Sequence, residues 1–147
     1  MRAEDGPIFA AWERNERPYP WSEKQFQEVL RYPANIALVG TMAQTPIAFA
    51  IAQCVADEAY LSNMMVQSMF RRQGWAKKIL SEILIWSKKK GARHFLLDVD
   101  TTNRPAIGLY QALGFEIVEK RPKSYPNGED AFLMKIGFFE KEKIIGE

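Results

Sequence analysis

The chain has 147 residues, 47% hydrophobic and 26% charged, the ordinary balance of one globular domain with one core. One cysteine (Cys54) and one histidine (His94) exclude an internal disulfide and a Cys/His metal cluster, and no apolar run is long enough to span a bilayer. The net charge of +2 argues against a nucleic-acid partner, and a lone cysteine without a signal-peptide layout in Met1–Asp5 leads us to expect a reducing, cytoplasmic setting.

The charge is uneven. Arg71, Arg72, Lys77, Lys78, Lys88, Lys89, Lys90 and Arg93 face only Glu82 in their stretch, and the remainder is net acidic. That layout suits an anionic ligand at one place and a cationic partner elsewhere. Lys88–Lys90 read as a solvated helix face.

In chain order, Ile8, Phe9 and Trp12 recur at helical spacing in a short first helix. Pro18-Tyr19-Pro20 breaks the chain. Ser22 is then an N-cap with Gln25 as capping-box partner, before Phe26, Val29 and Leu30. Residues 36–39 and 47–55 read as strands joined by a turn over 40–46, and 59–66 as a third strand. A helix is predicted over 73–90, striped by Trp75, Ile79, Leu80, Ile83 and Leu84 and ended by Gly91. Residues 94–99 form a buried-looking strand and 103–113 a helix ending at Gly114. Residues 115–118 and 131–136 are the last strands, around a loop over 122–130, and a charged tail follows Gly137. Helices, an antiparallel meander, then strand-helix-strand make the class mixed α/β (α+β) with one sheet, all in a single domain over 1–147.

Two constellations carry chemistry. In the first, a strand runs through Met64, Met65 and Val66 and leads by Arg71-Arg72-Gln73-Gly74-Trp75-Ala76-Lys77 into the long helix. Unpaired N–H groups at a helix start, the helix dipole, small residues at 74 and 76 and nearby cations together form an anion cradle that suits a pyrophosphate. In the second, Asp98 ends a strand, Asn103 starts a helix, Tyr110 lies two turns into it and Leu113-Gly114-Phe115 closes the unit. Tyr110 can protonate a departing thiolate, Asp98 can take a proton from an attacking amine, and Asn103 can cap its helix or bind a ligand amide. Each also has a structural reading, as core tyrosine, strand-end carboxylate and N-cap. Cys54, mid-strand, reads as structural, as does His94.

Arg71-x-x-Gly74-x-Ala76 and Asn103-Arg104-Pro105-Ala106-Ile107-Gly108-Leu109-Tyr110 with Leu113-Gly114-Phe115 resemble the GNAT family of N-acetyltransferases, over about residues 20–136. Pro20-Trp21-Ser22-Glu23-Lys24, Asp57-Glu58-Ala59, Leu61-Ser62-Asn63 and Gly128-Glu129-Asp130-Ala131 resemble the bacterial ribosomal-protein-alanine N-acetyltransferases within it. The resemblance implies the GNAT fold, a twisted, mainly antiparallel sheet that splays in a V between strands 59–66 and 94–99. Acetyl-CoA would wedge into that V, its pantetheine arm along Met64, Met65 and Val66, with an N–H near Met65 polarising the thioester. Arg72, Gln73, Gly74, Trp75, Ala76 and Lys77 would take the pyrophosphate, with Arg71 and Asn103 further cofactor contacts. Asp98 would be the general base and Tyr110 the general acid of a direct transfer without an acetyl-enzyme.

The implied acceptor is the N-terminal alanine of a basic ribosomal protein, entering between residues 13–22 and the 122–130 loop. Glu13, Glu16, Glu23, Glu28, Asp57 and Glu58 are an acidic frame that could attract it. The family's base is usually glutamate. Asp98 is one methylene, about 1.5 Å, shorter, so Glu58 or a bridging water is an alternative. Trp75 is bulky where small or aliphatic residues are usual, and Ser124-Tyr125 replaces a usual tyrosine pair. The alternatives to a protein acceptor are a small-molecule amine (polyamine or amino acid) and a weakly catalytic CoA-binding module. No membrane partner and a monomer or weak dimer are expected.

Overall fold

The computed structural model describes residues 1–122 and 130–138. Most of the expected acceptor loop, with Ser124-Tyr125, and nearly all of the charged tail lie outside the described residues.

Helix α1 (Gly6–Glu16) starts with Pro7 in its first turn, where a missing N–H costs nothing. Its inward face is Phe9, Ala10 and Glu13. Ile8, expected on the apolar stripe, is 41% exposed, because the stripe that meets the sheet is set by Phe9 against Phe49 at 4.8 Å. Helix α2 (Glu23–Leu30) has the expected capping box. Ser22 Oγ accepts from the Gln25 N–H at 3.2 Å, and Gln25 Oε1 accepts from the Ser22 N–H at 2.9 Å.

Strands β1 (Ile36–Met42) and β2 (Thr45–Val55) form a hairpin tighter than expected. Only Ala43 and Gln44 turn, at φ 50° and 68°, the two-residue left-handed turn that matches strand twist. The sequence lacks the Asn-Gly signal that would have announced it.

Strand β3 (Glu58–Val66), helix α3 (Trp75–Lys89), strand β4 (His94–Asp100), helix α4 (Arg104–Ala112) and strands β5 (Glu116–Arg121) and β6 (Ala131–Gly137) complete one six-stranded sheet of order β1-β2-β3-β4-β6-β5. Among the described residues, only β3 and β4 pair in parallel. Helices α1 and α2 cover one face over Phe9, Phe26, Phe49, Ile51 and Met65. The opposite face packs α3 and α4 over a core that includes Ile79, Leu80, Ile83, Phe95, Leu97, Val99, Tyr110 and Met134. Ala48, Ala50 and Ala52 of β2 lie in that second core and are wholly buried, small enough for α3 to settle closely on the sheet.

The sheet opens where chemistry was expected. Strands β3 and β4 pair only at Glu58↔His94, Ala59↔Phe95 and Tyr60↔Leu96. Beyond Tyr60 they diverge. Ile51 pairs with Asn63 but Ala52 with Leu61, so Ser62 is an extra residue in β3. Such a bulge bends its strand, and this one lies where pairing with β4 stops.

Candidate active site

The divergence leaves a cleft of about 890 Å³, lined by Leu61, Ser62, Asn63 and Met64 of β3 and by Asp98, Val99 and Asp100 of β4, with Tyr60, Asn103, Tyr110, Gln53 and the Arg17–Tyr19 segment around them. A second cavity of about 340 Å³ continues from it along Met64, Met65, Val66, Phe70, Arg71, Arg72, Gly74, Trp75, Ala76, Lys77 and Leu109. Arg17 and Met64 line both.

Asp98 and Tyr110 come from opposite faces of the sheet. Leu97 and Val99 point into the core shared with α3 and α4, so the alternation of β4 turns Asp98 to the other face. Tyr110 belongs to that core and is 8% exposed. Only the gap between the strands lets both line one cleft. A tight ending holds Tyr110 in place. The Phe115 N–H bonds to Tyr110 O at 3.0 Å and the Gly114 N–H to Gln111 O at 3.0 Å, a Schellman closure around Gly114 at φ +104°.

Electrostatics separates the groups. Asp98 accepts a hydrogen bond from the Tyr60 hydroxyl, and Arg121 Nη1 is 3.5 Å from its other oxygen. Burial pushes its carboxyl above the ordinary range. The Arg121 charge opposes that and Glu119 adds to it. Asp100 moves the other way, because the Thr102 hydroxyl and N–H donate to Oδ1 at 2.6 and 2.8 Å. Burial raises the Tyr110 phenol, and the Arg17 charge offsets part of that.

The second cavity ends at the start of α3. Its first backbone bond is the Lys78 N–H to Gly74 O at 3.1 Å, and the N-cap Gly74 offers no side-chain cap. The N–H groups of Trp75, Ala76 and Lys77 therefore have no helical partner. Arg72 and Gly74 are left-handed at φ 62° and 85°. The left-to-right switch at Gly74–Trp75 is the backbone form of an anion nest. A Cβ added at Gly74 would have no heavy atom within 4 Å, so there is room beside it. These residues fit a pyrophosphate.

All the residues expected to hold the cofactor line the second cavity except two. Gln73 lies outside both cavities, with its amide 3.4 Å from Met69 O. Asn103 lines the first, and its side chain also caps α4 by accepting from the Ala106 N–H at 3.3 Å. Arg71 is turned from the helix start. Its Nε bonds Val66 O at 2.9 Å and its Nη2 pairs with Glu16 at 2.7 Å. The N–H expected near Met65 to face the cleft is that of a neighbour, not of Met65 itself. The Gln67 N–H bonds Ile47 O, so the odd residues here, Met65 included, turn their peptide groups to β2, and Met64 and Val66 present theirs to the cleft.

Other expectations change. Glu58 lines neither cavity and sits beside His94, four residues or about 13 Å along β4 from Asp98. The acidic frame is partly spent internally. Glu13 is wholly buried beside Arg17, Glu16 holds Arg71 and Glu28 pairs with Arg31 at 3.4 Å. Burial raises the Cys54 thiol more than the Lys90 charge lowers it, which suits a structural thiol. Sequence reasoning missed Arg17, Tyr60 and Arg121. Tyr60 meets Asp98 only through the parallel register, which no local pattern announces.

A family model described as "Acetyltransferase (GNAT) family" matches residues 7–115. The chain belongs to the GNAT family. It is 37% identical to the ribosomal protein bS18-alanine N-acetyltransferase of Escherichia coli K12 over 143 residues, 92% of this chain and 93% of that one. It is 29% identical to the putative bS18-alanine N-acetyltransferase of Bacillus subtilis 168, covering 91% and 90%. The crystal structure of the Escherichia coli S18-alanine enzyme superposes with a TM-score of 0.88 at 31% identity, over 99% of this chain and 95% of that one. Ard1 of Thermoplasma volcanium, at 21% identity and a TM-score of 0.85 over 95% of each chain, shares the fold. As a GNAT acetyltransferase, this protein uses acetyl-CoA as its co-substrate. Among the described residues, no helix is long and apolar enough to cross a membrane.

Proposed function

We propose that the protein acetylates the N-terminal α-amine of a protein, a ribosomal-protein alanine, with Asp98 as general base and Tyr110 as general acid. The observation that carries this is the convergence of Asp98 and Tyr110, from opposite sheet faces, on one cleft continuous with a backbone anion nest. The relatives named for an alanine acceptor, matched over nearly their whole length, support the acceptor class.

In this reading the second cavity takes acetyl-CoA, which supplies an acetyl group activated as a thioester. The N–H groups of Trp75, Ala76 and Lys77, with the Arg72 and Lys77 charges, hold its pyrophosphate. Met64 and Val66 offer peptide groups to its arm. Asp98 takes the amine proton as the nitrogen lone pair forms the C–N bond. The C–S bond breaks with its pair on sulfur, and Tyr110 gives that sulfur a proton. An α-amine has a reference pKa of about 7.7–8.0 against about 10.4 for lysine, so a fair fraction is neutral near pH 7 and a carboxylate raised by burial is base enough. Asp98 and Asp100 bring negative charge to the cleft where a cationic amine arrives.

Thiol release from acetyl-CoA, followed with an Ala-starting ribosomal peptide, the same peptide blocked at its N-terminus, a lysine peptide and spermidine, tests the reading. Release requiring the free alanine terminus is expected. Release with spermidine alone would replace the acceptor by a small amine. Acetyl-CoA binding without release in any arm would leave a binding module.

A further inference from the structure

We propose that Arg17 is a further residue of the transfer step: anchored by the buried Glu13, its guanidinium stands where the two cavities meet and supplies fixed positive charge to the departing sulfur and the thioester oxygen. The proposal rests on acetyl transfer from acetyl-CoA, not on the identity of the acceptor.

The placement comes first. Arg17 is the charged residue common to both cavities, and it follows directly on α1. In a cleft that carries the thioester in one arm and the amine in the other, the crossing point is where the acetyl group changes hands. Charge at that point acts on the reacting bond itself.

The anchoring is the second observation. Glu13 is 0% exposed, on the inward face of α1 that also carries the buried Phe9 and Ala10. A carboxylate in such surroundings is costly unless its oxygens are occupied. One oxygen accepts from the Trp21 N–H at 3.0 Å. The other lies 3.0 Å from Arg17 Nε, off the line of that N–H, so the contact is ionic rather than a straight hydrogen bond. Solubility does not explain a glutamate here: the side chain ties down the Trp21 N–H with one oxygen and the Arg17 guanidinium with the other.

The third observation is a comparison within the site. The divergence of β3 from β4 orphans the carbonyls of Met64 and Val66, and an arginine caps each. Arg17 Nη2 bonds Met64 O at 2.6 Å, and Arg71 Nε bonds Val66 O at 2.9 Å. Each arginine is tied to a glutamate of α1, Glu13 or Glu16. With the carbonyls taken, this edge of β3 presents N–H donors to a ligand, which suits an oxygen gathering negative charge. Capping is common to both arginines, but only Arg17 reaches the acceptor cleft, with a side chain 37% exposed. Its charge also draws the Tyr110 phenol down against burial, which eases that group's proton transfer to sulfur.

The test uses the full chain with Arg17→Met, Arg17→Lys and Arg17→Ala. The rates are thiol release with the best acceptor of the panel and, separately, slow release to water with no acceptor, which breaks the same C–S bond. Acetyl-CoA affinity by calorimetry and the thermal midpoint accompany them. Expected are a fall in kcat on the order of 10²-fold for Arg17→Met, read well below its midpoint, with acetyl-CoA affinity nearly unchanged and the midpoint lowered by the unpaired Glu13 carboxylate, then partial recovery of kcat in Arg17→Lys and partial rescue of Arg17→Ala by added methylguanidinium. Retained kcat in Arg17→Met overturns the proposal. So does a loss confined to acetyl-CoA affinity, and so does a loss tracking a lowered midpoint without guanidinium rescue. An unaltered enzyme that releases thiol to water but to no peptide refutes the acceptor reading instead, and the water reaction still decides for or against Arg17.

Discussion

The two arms of the cleft are built from different materials. The arm proposed for acetyl-CoA is mostly main chain, made of the open edge of β3, the free N–H groups at the start of α3 and the left-handed turns at Arg72 and Gly74. The acceptor arm is mostly side chain, with Arg17, Tyr60, Asp98 and Tyr110 drawn from four separate segments. Peptide groups donate whatever side chain they carry, so the first arm absorbs substitution. Trp75, bulky at a position of small or aliphatic residues, still begins α3 and holds Lys78 over its ring at 4.9 Å. The second arm depends on single atoms.

The largest effect that breaks this comparison open is on the acceptor side. Asp98→Asn and Tyr110→Phe each remove one proposed proton-transfer group and keep the shape. The kcat for thiol release is expected to fall roughly 10²–10⁴-fold in each, with acetyl-CoA affinity by calorimetry little changed. Loss of affinity in step with kcat would mean that the two arms are not separable.

Gly74→Ala probes the other arm. No atom would crowd the added methyl, so the strain is that of the backbone at φ +85°, about 1–2 kcal/mol. Relief of that strain turns the N–H groups of the nest. Acetyl-CoA affinity should weaken roughly 5–30-fold, which is that energy converted, while kcat at saturating acetyl-CoA stays near its original value. Equal affinity would show that the nest does not hold the pyrophosphate.

The same contrast governs what was legible in the sequence. Main-chain sites leave local marks, so Gly74, Ala76 and their arginines were readable, as were the capping box at Ser22 and the closure at Gly114. Asp98 and Tyr110 were readable as candidates because one lies near the end of a recognisable strand and the other two turns into a recognisable helix closed by Leu113-Gly114-Phe115. Their meeting was legible only through the family resemblance and not in any local pattern, since it depends on the gap beside the bulge at Ser62, and a one-residue irregularity has no signature in polar–apolar alternation. Arg71 read as a phosphate ligand on spacing alone. Only three dimensions reveal Glu16 beside it. Glu13 read as part of an acidic surface because nothing local distinguishes a buried carboxylate on a helix from an exposed one.

The smallest effects sharpen the account of Asp98, and their signs are opposed. The Tyr60 hydroxyl bonds the carboxylate and so favours its charged form. Tyr60→Phe removes that bond and should raise further a carboxyl that burial already holds high. A base must be ionised to work, so the acidic limb of kcat/KM should move to higher pH, with the plateau little altered. Glu119→Gln acts the other way. Glu119 adds a like charge, and it also lies 3.7 Å from Arg121, the cation that opposes the rise. Neutralising it should lower the Asp98 carboxyl and carry the acidic limb to lower pH. Both shifts are read from kcat/KM between about pH 4 and 8 with an alanine-starting peptide, where ionisation of the acceptor amine adds the same slope to every variant. If the limb stayed fixed in both variants, it would belong to the amine alone and Asp98 would not be the base.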